Sequence, residues 1–372
     1  MRIGIDFTAA VRQQAGIGRY TRSLVRALAE LDQSTAYVLL SAGRDPDPAP
    51  WPENFERREL PLTDRHLSIL WQKLRIPLPV EVFTGGISLF HSPDFVLPPV
   101  LCGRTALTIH DLSFLRLPEC SSPGLLAYLN DAVPRSIKRA DLLLADSEST
   151  LNDLVALMGV DLGRIRVVYP AVDSTFRPAD HQEIARMRER HALQGPYILS
   201  LGTLQPRKNY VRLIQAYHRL RMEQHIPHSL VIGGGPGWLD QPIYDTIAEL
   251  DLQEHVRLLG FVDEADLPAL YSGAEVFAFP TLYEGFGIPV LEAMACGTPV
   301  VCSNTSSLPE AAGDAGLLFE PTDTDALADA LLRGISDSAL RARLISSGYA
   351  QATRYTWKES AQRLHAAYLE LA

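Results

Sequence analysis

Glu284 and Glu292 are separated by seven residues in the stretch Pro280-Thr281-Leu282-Tyr283-Glu284-Gly285-Phe286-Gly287-Ile288-Pro289-Val290-Leu291-Glu292. A carboxylate accepts two hydrogen bonds from a diol, so such a pair can hold a polyhydroxylated ligand at two points. The spacing alone is weak, since a 372-residue chain with 20 glutamates contains roughly one such pair by chance. Its surroundings strengthen it. Val276–Pro280 reads as a buried strand, Gly285 and Gly287 permit a tight loop, and Pro289 suits the first turn of a helix over Ile288–Cys296 that Gly297 ends. Backbone N–H groups at Gly285, Phe286, Gly287 and Ile288, with the helix dipole behind them, make a ready anion site. A diphosphate bound there needs no metal, Glu284 can reach sugar hydroxyls, and Glu292 can reach the two hydroxyls of a ribose. The competing reading is a loop charge at Glu284 and a dipole-complementing surface residue at Glu292.

Other chemistry-bearing residues also follow expected strands. Arg207 and Lys208 come after Tyr197–Leu201 and Gly202, and two adjacent cations there can neutralise a leaving diphosphate; the alternative is a solvated loop pair. His110 ends the apolar run Ala106–Ile109, and Asp111 after it is a candidate orienter. Gln14-Ala15-Gly16-Ile17-Gly18-Arg19-Tyr20 joins the first strand to the first helix, and Gly16 and Gly18 allow close backbone approach. It lacks the full G-x-G-x-x-G pattern, and Ser41-Ala42-Gly43 rather than an acid follows the second strand, which argues against a nicotinamide dinucleotide. Gly233-Gly234-Gly235-Pro236-Gly237-Trp238 reads as a turn-rich loop in which Trp238 is a packing residue or a base contact. Asp45-Pro46-Asp47 and Asp323-Thr324-Asp325 have D-x-D spacing, but one lies in a proline-rich loop and the other starts a helix, so neither is assigned to a metal.

These residues need strands and helices to position them. Short apolar runs expected as strands are Ile3–Asp6, Tyr37–Leu40, Ser88–His91, Ala106–His110, Leu142–Asp146, Arg166–Tyr169, Tyr197–Leu201, Leu230–Gly233, Val256–Leu259, Val276–Pro280, Pro299–Ser303 and Gly316–Phe319. Amphipathic stretches such as Tyr20–Leu31, Leu125–Arg139 and Val211–Met222 alternate with them, which argues for parallel sheets covered on both faces. The pattern restarts at Ile198–Gly202, so two Rossmann-like domains are expected: 1–172, 173–355, and a helix over 356–372 that can pack back on the first. Ligands of such sheets bind beyond the carboxyl ends of the strands. In His66–Arg75, Leu67, Leu70, Trp71 and Leu74 share one helical face, expected to be buried against the first sheet; the alternative is peripheral membrane contact aided by Arg65, Lys73 and Arg75.

The bulk numbers agree with an ordinary globular protein. Hydrophobic residues are 47%, charged residues 21%, and net charge is −10, which disfavours a general nucleic-acid binder. The first 172 residues carry net −1 and the remainder net −9. Cys102, Cys120, Cys296 and Cys302 lack metal or redox spacing and read as small buried hydrophobes. No signal peptide and no membrane-spanning apolar run is evident, so a cytoplasmic protein, or one peripheral at the inner face of a membrane, is expected.

Taken together the motifs resemble the retaining glycosyltransferases of family four, and among them bacterial mannosyltransferases of surface-polysaccharide assembly. The resemblance rests on Glu284–Glu292 with Ala293-Met294-Ala295-Cys296-Gly297-Thr298-Pro299-Val300-Val301 after it, and on Gly202-Thr203-Leu204-Gln205-Pro206-Arg207-Lys208-Asn209. Thr108-Ile109-His110-Asp111-Leu112, Val168-Tyr169-Pro170-Ala171-Val172-Asp173 and Gly260-Phe261-Val262-Asp263 with Leu270-Tyr271 complete it in the family's order. It implies an α/β protein of GT-B type, two Rossmann-like domains with parallel sheets facing a central cleft, the first binding an acceptor and the second a nucleotide sugar. It implies that His110 faces the donor sugar, that Lys208 contacts the diphosphate, and that the loop of Gly16 and Gly18 lies over the donor phosphates or the acceptor. Many members carry an arginine directly after Gly202; Thr203 stands there instead, and Arg207 is a candidate substitute. The implied reaction is metal-independent hexosyl transfer with retention, without a protein cofactor, from GDP-mannose or else UDP-glucose to a glycan or lipid-linked acceptor. The departing phosphate oxygen takes the acceptor's proton. A non-catalytic nucleotide-sugar binder and a sugar-nucleotide epimerase are the alternatives. Oligomeric state, linkage and acceptor identity are not legible.

Overall fold

The computed structural model describes residues 1–13, 16–45 and 49–371. Gln14 and Ala15 of the glycine loop and Pro46 and Asp47 of the first D-x-D stretch lie outside the described residues. The chain forms two compact units, Met1–Leu115 with Gly124–Pro170 and Thr356–Ala372, and Arg116–Pro123 with Ala171–Tyr355. Residues 116–123 therefore do not fold with the rest of 1–172.

The first unit is built on seven parallel strands, β1 (Arg2–Asp6), β2 (Ala36–Ala42), β3 (Phe55–Leu60), β4 (Leu89–Ser92), β5 (Arg104–Ile109), β6 (Leu142–Ala145) and β7 (Ile165–Val167), in the order β3-β2-β1-β4-β5-β6-β7. Alternate residues serve opposite faces. Leu142 and Leu144 join one buried cluster with Ile3, Ile5 and Leu39, while Leu143 and Ala145 join another with Phe90, Leu107 and Ile109. Covering both faces is what makes these strands continuous apolar runs. β3 does not read as a strand in the sequence. It is an edge strand, Phe-Glu-Arg-Arg-Glu-Leu, whose four central charged residues are exposed. Charge on an edge strand discourages pairing with another chain and also erases the apolar signal.

The second unit carries β8 (Tyr197–Leu201), β9 (Ser229–Gly233), β10 (Val256–Gly260), β11 (Val276–Phe279), β12 (Val300–Ser303) and β13 (Gly316–Phe319), in the order β10-β9-β8-β11-β12-β13, again all parallel. Trp238 is a packing residue in this unit: its indole Nε1 donates to the Cys120 carbonyl at 2.7 Å. Cys120, Cys296 and Cys302 are buried, whereas Cys102 is exposed, contrary to the expectation for all four.

The amphipathic His66–Arg75 segment is not one regular helix. A helix over Asp64–Ser68 gives way to a π-helical turn at Ile69–Lys73, with Leu74 N donating to Ile69 O at 2.8 Å. The extra residue per turn breaks the expected stripe: Leu67 and Trp71 are buried, but Leu74 is 61% exposed.

The helix Trp357–Leu371 belongs to the first unit and packs on the helix Ile17–Leu31 through Ala361, Leu364, Ala367 and Tyr368. Ser360 Oγ donates to Tyr169 O at 2.6 Å, and the Tyr368 hydroxyl meets His91 Nδ1 at 2.6 Å. Burial, and secondarily the charge of His110, push the His91 imidazole down to about 3, so it stays neutral. Leu364 is fully buried in this contact. Leu364→Ala should destabilise the protein by about 2–5 kcal/mol, the range for a buried leucine truncation, measured by urea denaturation. A loss below about 1 kcal/mol would show that the helix contributes little to the first unit's core.

Candidate active site

Each sheet reverses its strand order once, between β1 and β4 in the first unit and between β8 and β11 in the second. Connections leave such a strand pair toward opposite sides, opening a crevice at the carboxyl edge where ligands bind. In the second unit the loops there are Gly202–Asn209 after β8 and Pro280–Gly287 after β11.

These loops are bound to one another. Leu282 N donates to Arg207 O at 2.8 Å, and Asn209, in a left-handed conformation at φ 59°, donates through Nδ2 to the carbonyls of Pro280 and Pro321, both at 2.9 Å. Glu284 is clamped through its backbone: its N–H donates to Ser306 Oγ at 2.9 Å, and Ser307 Oγ donates to its carbonyl at 3.0 Å. Its carboxylate receives Lys208 Nζ at 2.7 Å on Oε1 and Arg207 at 3.1 Å on Oε2. The same guanidinium donates to the Tyr283 carbonyl at 2.6 Å. Arg207 is thus directed at Glu284 beside Lys208, while Thr203 is exposed. Burial pushes the Glu284 carboxyl up, but the charges of Arg207 and Lys208 outweigh it and hold it below its ordinary range. Two cations around one carboxylate leave an excess positive charge at the crevice.

Gly287 precedes the helix Ile288–Ala295 at φ 105°, and a Cβ there would lie 2.7 Å from Leu308 Cδ2. Only glycine turns the loop into the helix at this point. Phe286 is buried edge-on to Tyr355, at 5.1 Å between ring centroids, which fixes the loop beside Gly285. Glu292, in the second turn of the helix, is 3% exposed and accepts from the Tyr271 hydroxyl at 2.8 Å. Thr298 Oγ1 in turn donates to the Tyr271 carbonyl at 2.7 Å. Glu292 is therefore no surface residue tuning a helix dipole but a buried carboxylate held by a phenol. Gly202 adjoins the cluster through its carbonyl, which accepts from the Tyr210 hydroxyl at 2.9 Å.

Asp323 caps the helix Thr324–Ser336 by accepting from Ala326 N at 2.9 Å, and Asp325 pairs with Arg219. This D-x-D is helix chemistry. Gly18 sits in the first turn of the helix Ile17–Leu31, where a Cβ would lie 2.0 Å from Gln13 O, so chain packing alone requires a glycine there; Gly16 precedes the helix and is exposed. Arg19 follows in the same first turn.

In the first unit His110 follows β5. Its Nδ1 lies 2.8 Å from Asp146 Oδ2 and its Nε2 lies 2.9 Å from Pro93 O. Both partners accept, so both ring nitrogens carry protons. Burial opposes the charged ring, but Asp146, with Asp94 further off, outweighs it and raises His110 to about 9. The orienting acid is Asp146, not Asp111, whose carboxylate instead accepts from Ser113 N at 2.8 Å. Ile109 of β5 and Ala145 of β6 are register partners, so the next residues along, His110 and Asp146, emerge side by side. Two polar residues ending adjacent apolar strands are the sequence signal for this pair. Ser306 and Ser307, after β12, had no such signal.

Because the folded value near 9 exceeds the ordinary 6.5, this pairing stabilises the fold fully below about pH 6.5 and loses its contribution as the pH rises through about 9. Proton NMR titration of His110 should show that raised midpoint, and Asp146→Asn should lower it by about 1–3 units. A wild-type midpoint at the ordinary histidine value would mean that Asp146 does not hold the ring charged.

Comparison with known proteins fits these features. Residues 15–176 match Glycosyltransferase Family 4, and residues 181–351 match Glycosyl transferases group 1. O-antigen chain mannosyltransferase B of Escherichia coli is 33% identical over 368 residues, spanning 95% of each chain. The serotype-specific mannosyltransferase WbdA of Escherichia coli is 32% identical over 230 residues, 60% of this chain and 28% of that one. Among solved structures, sucrose-phosphate synthase from Thermosynechococcus elongatus superposes with a TM-score of 0.77 at 22% identity, covering 100% of this chain and 99% of that one. Anabaena Alr3699/HepE in complex with UDP and glucose gives 0.74 at 18% identity, covering 100% and 99%. The chain belongs to the family-four, group-one glycosyltransferases, with two Rossmann-like halves of the GT-B fold.

Proposed function

We propose that this glycosyltransferase moves a mannosyl residue from GDP-mannose to a hydroxyl of a growing surface-polysaccharide chain, free or lipid-linked, with retention at the anomeric carbon. The observation that carries the reading is the buried cluster of Arg207 and Lys208 on Glu284 at the β8/β11 crevice, followed by a helix N-terminus. Its excess positive charge suits a diphosphate leaving group. The mannosyl specificity is supported by likeness to O-antigen chain mannosyltransferase B along nearly the whole of both chains.

In this reading Lys208 and Arg207 stabilise the negative charge that grows on the departing diphosphate, together with the backbone N–H groups of Gly285 to Ile288. Glu284 exchanges part of its contact with the two cations for hydroxyls of the donor sugar. Glu292, pre-aimed by Tyr271, accepts from the ribose diol. Gly202 borders the donor as backbone in the second unit, and in the first unit His110 supplies a fixed positive charge. The positive groups supply the electrostatic work in this scheme, so no metal or protein cofactor is assigned a step. The departing phosphate oxygen accepts the acceptor's proton, and the protein's part is positioning and charge stabilisation.

No helix among the described residues is long and apolar enough to cross a membrane. Work on a lipid-linked acceptor would then need peripheral contact at the inner face, for which exposed Leu74, Ile76, Val82 and Leu101 of the first unit supply apolar side chains.

Titration calorimetry with GDP, UDP and ADP, followed by incubation with labelled donor, tests the reading. GDP should bind most tightly, and a new glycoside should form. An altered sugar would indicate epimerisation, and binding without any product a non-catalytic role. Glu292→Gln should weaken nucleotide binding by about 1.5–3 kcal/mol, the range for hydrogen bonds to a charged group. Lys208→Ala should cut turnover by about 100-fold or more while the fold survives. Unchanged nucleotide affinity, or wild-type turnover, would remove the corresponding residue from the mechanism.

A further inference from the structure

Eight of the described residues other than glycine hold a positive φ. Two of these hydrogen-bond through their side chains to the loop that carries Glu284: Asn209 at φ 59° and Ser306 at φ 49°. An asparagine visits the left-handed region routinely, whereas a serine does so at a cost. Such strain persists where the surroundings over-determine it, and it gathers at sites where a side chain has a task.

The surroundings of Ser306 do over-determine it. β11 and β12 are register partners up to Phe279 and Cys302, so the loops after them leave the sheet side by side. On its far side the β12 loop is tied to β13 by Asn304 N, which donates to Phe319 O at 2.8 Å. It closes into a turn where Leu308 N donates to Thr305 O at 3.2 Å. On its near side it meets Glu284 twice. Ser306 Oγ accepts from Glu284 N at 2.9 Å, and Ser307, fully buried, donates from Oγ to Glu284 O at 3.0 Å. The left-handed bend falls where two consecutive hydroxyls reach one residue.

A glycine would take this bend without strain but would leave the Glu284 N–H without its acceptor. Serine stands there instead. With its N–H and its carbonyl both held, and its carboxylate oxygens on Lys208 and Arg207, Glu284 has little freedom to swing. A carboxylate fixed in direction matches a sugar hydroxyl of one configuration, whereas a loose one accepts from either epimer. We propose that Ser306 is a specificity-determining positioning residue of the transfer. It acts through Glu284, setting that carboxylate for one configuration of the donor hexose. The inference rests on the reading that Glu284 holds hydroxyls of the donor sugar.

The test pairs Ser306→Gly with Ser306→Ala. Both lose the hydroxyl, but glycine also relieves the bend, so Ser306→Gly should melt at the higher temperature of the two. Turnover should not follow that order. Both variants should transfer roughly tenfold more slowly than the wild type, the size of one hydrogen bond. Their preference for GDP-mannose over its epimer GDP-glucose should narrow by about the same factor. GDP, which lacks the sugar, should bind both variants as it binds the wild type. Turnover that tracks melting temperature, an epimer preference unchanged in the variants or absent from the wild type, or a matching loss of GDP affinity would overturn the assignment. Should Ser306→Ala fail to fold, the glycine variant decides alone by its epimer preference. A wild-type chain that uses UDP-glucose instead would sink the mannosyl reading, and the same comparison then runs on UDP-glucose against UDP-galactose. An unchanged epimer preference in Glu284→Gln would sink the sugar-holding role of Glu284 itself, an outcome distinct from a failure at Ser306 alone.

Discussion

The arrangement depends on one topological constraint. A parallel sheet whose chain starts in the middle and grows outward both ways must reverse its strand order once, and at that pair no connection covers the carboxyl edge. Both sheets obey it, at β1/β4 and at β8/β11. The polar residues that matter gather at these places: Lys208, Arg207 and Glu284 in one unit, Asp6, Asp94 and His110 in the other. Apart from the charged edge strand β3, the strands of the first sheet are largely buried.

Placing charge at such an edge is costly unless it is paired, and the two units solve this in opposite senses. The second unit surrounds one carboxylate with two cations. The first surrounds one imidazolium with carboxylates, of which Asp146 is in contact and Asp94 is held up at about 6 by burial, with His110 pulling it down and Asp6 pushing it up. The second unit's arrangement suits an anionic leaving group. In both units, backbone clamps fix the charged side chain: Ser306 and Ser307 on Glu284, and Thr150 Oγ1, which donates to the His110 carbonyl at 3.1 Å.

Most of this was legible in the sequence where the signal was local. Buried parallel strands leave continuous apolar runs, and a glycine-proline-glycine frame around Ile288–Ala295 marks a helix that starts and stops sharply. Glu284 and Lys208 stood out because charge directly after a buried strand has few structural reasons to be there. What escaped was set by tertiary neighbours. β3 hides its strand character behind edge charges, and the π-turn shifts Leu74 outward without any sequence mark. The partner of His110 was sought next to it in the chain, at Asp111, when lateral strand register places Asp146 there. The packing that requires a glycine at position 18, against Gln13 O, likewise has no mark in the sequence.

The helix Trp357–Leu371 has a consequence for biogenesis. It completes the core of the first unit, yet it follows the whole of the second unit in the chain; Tyr368 reaches His91 across 277 positions and Ser360 reaches Tyr169 across 191. During synthesis the residues of the first unit that pack on Trp357–Leu371 emerge before that helix and stay uncovered until it follows the second unit. Order of synthesis and order of completion are thus inverted, and apolar surface exposed in this way makes a nascent unit prone to misassembly.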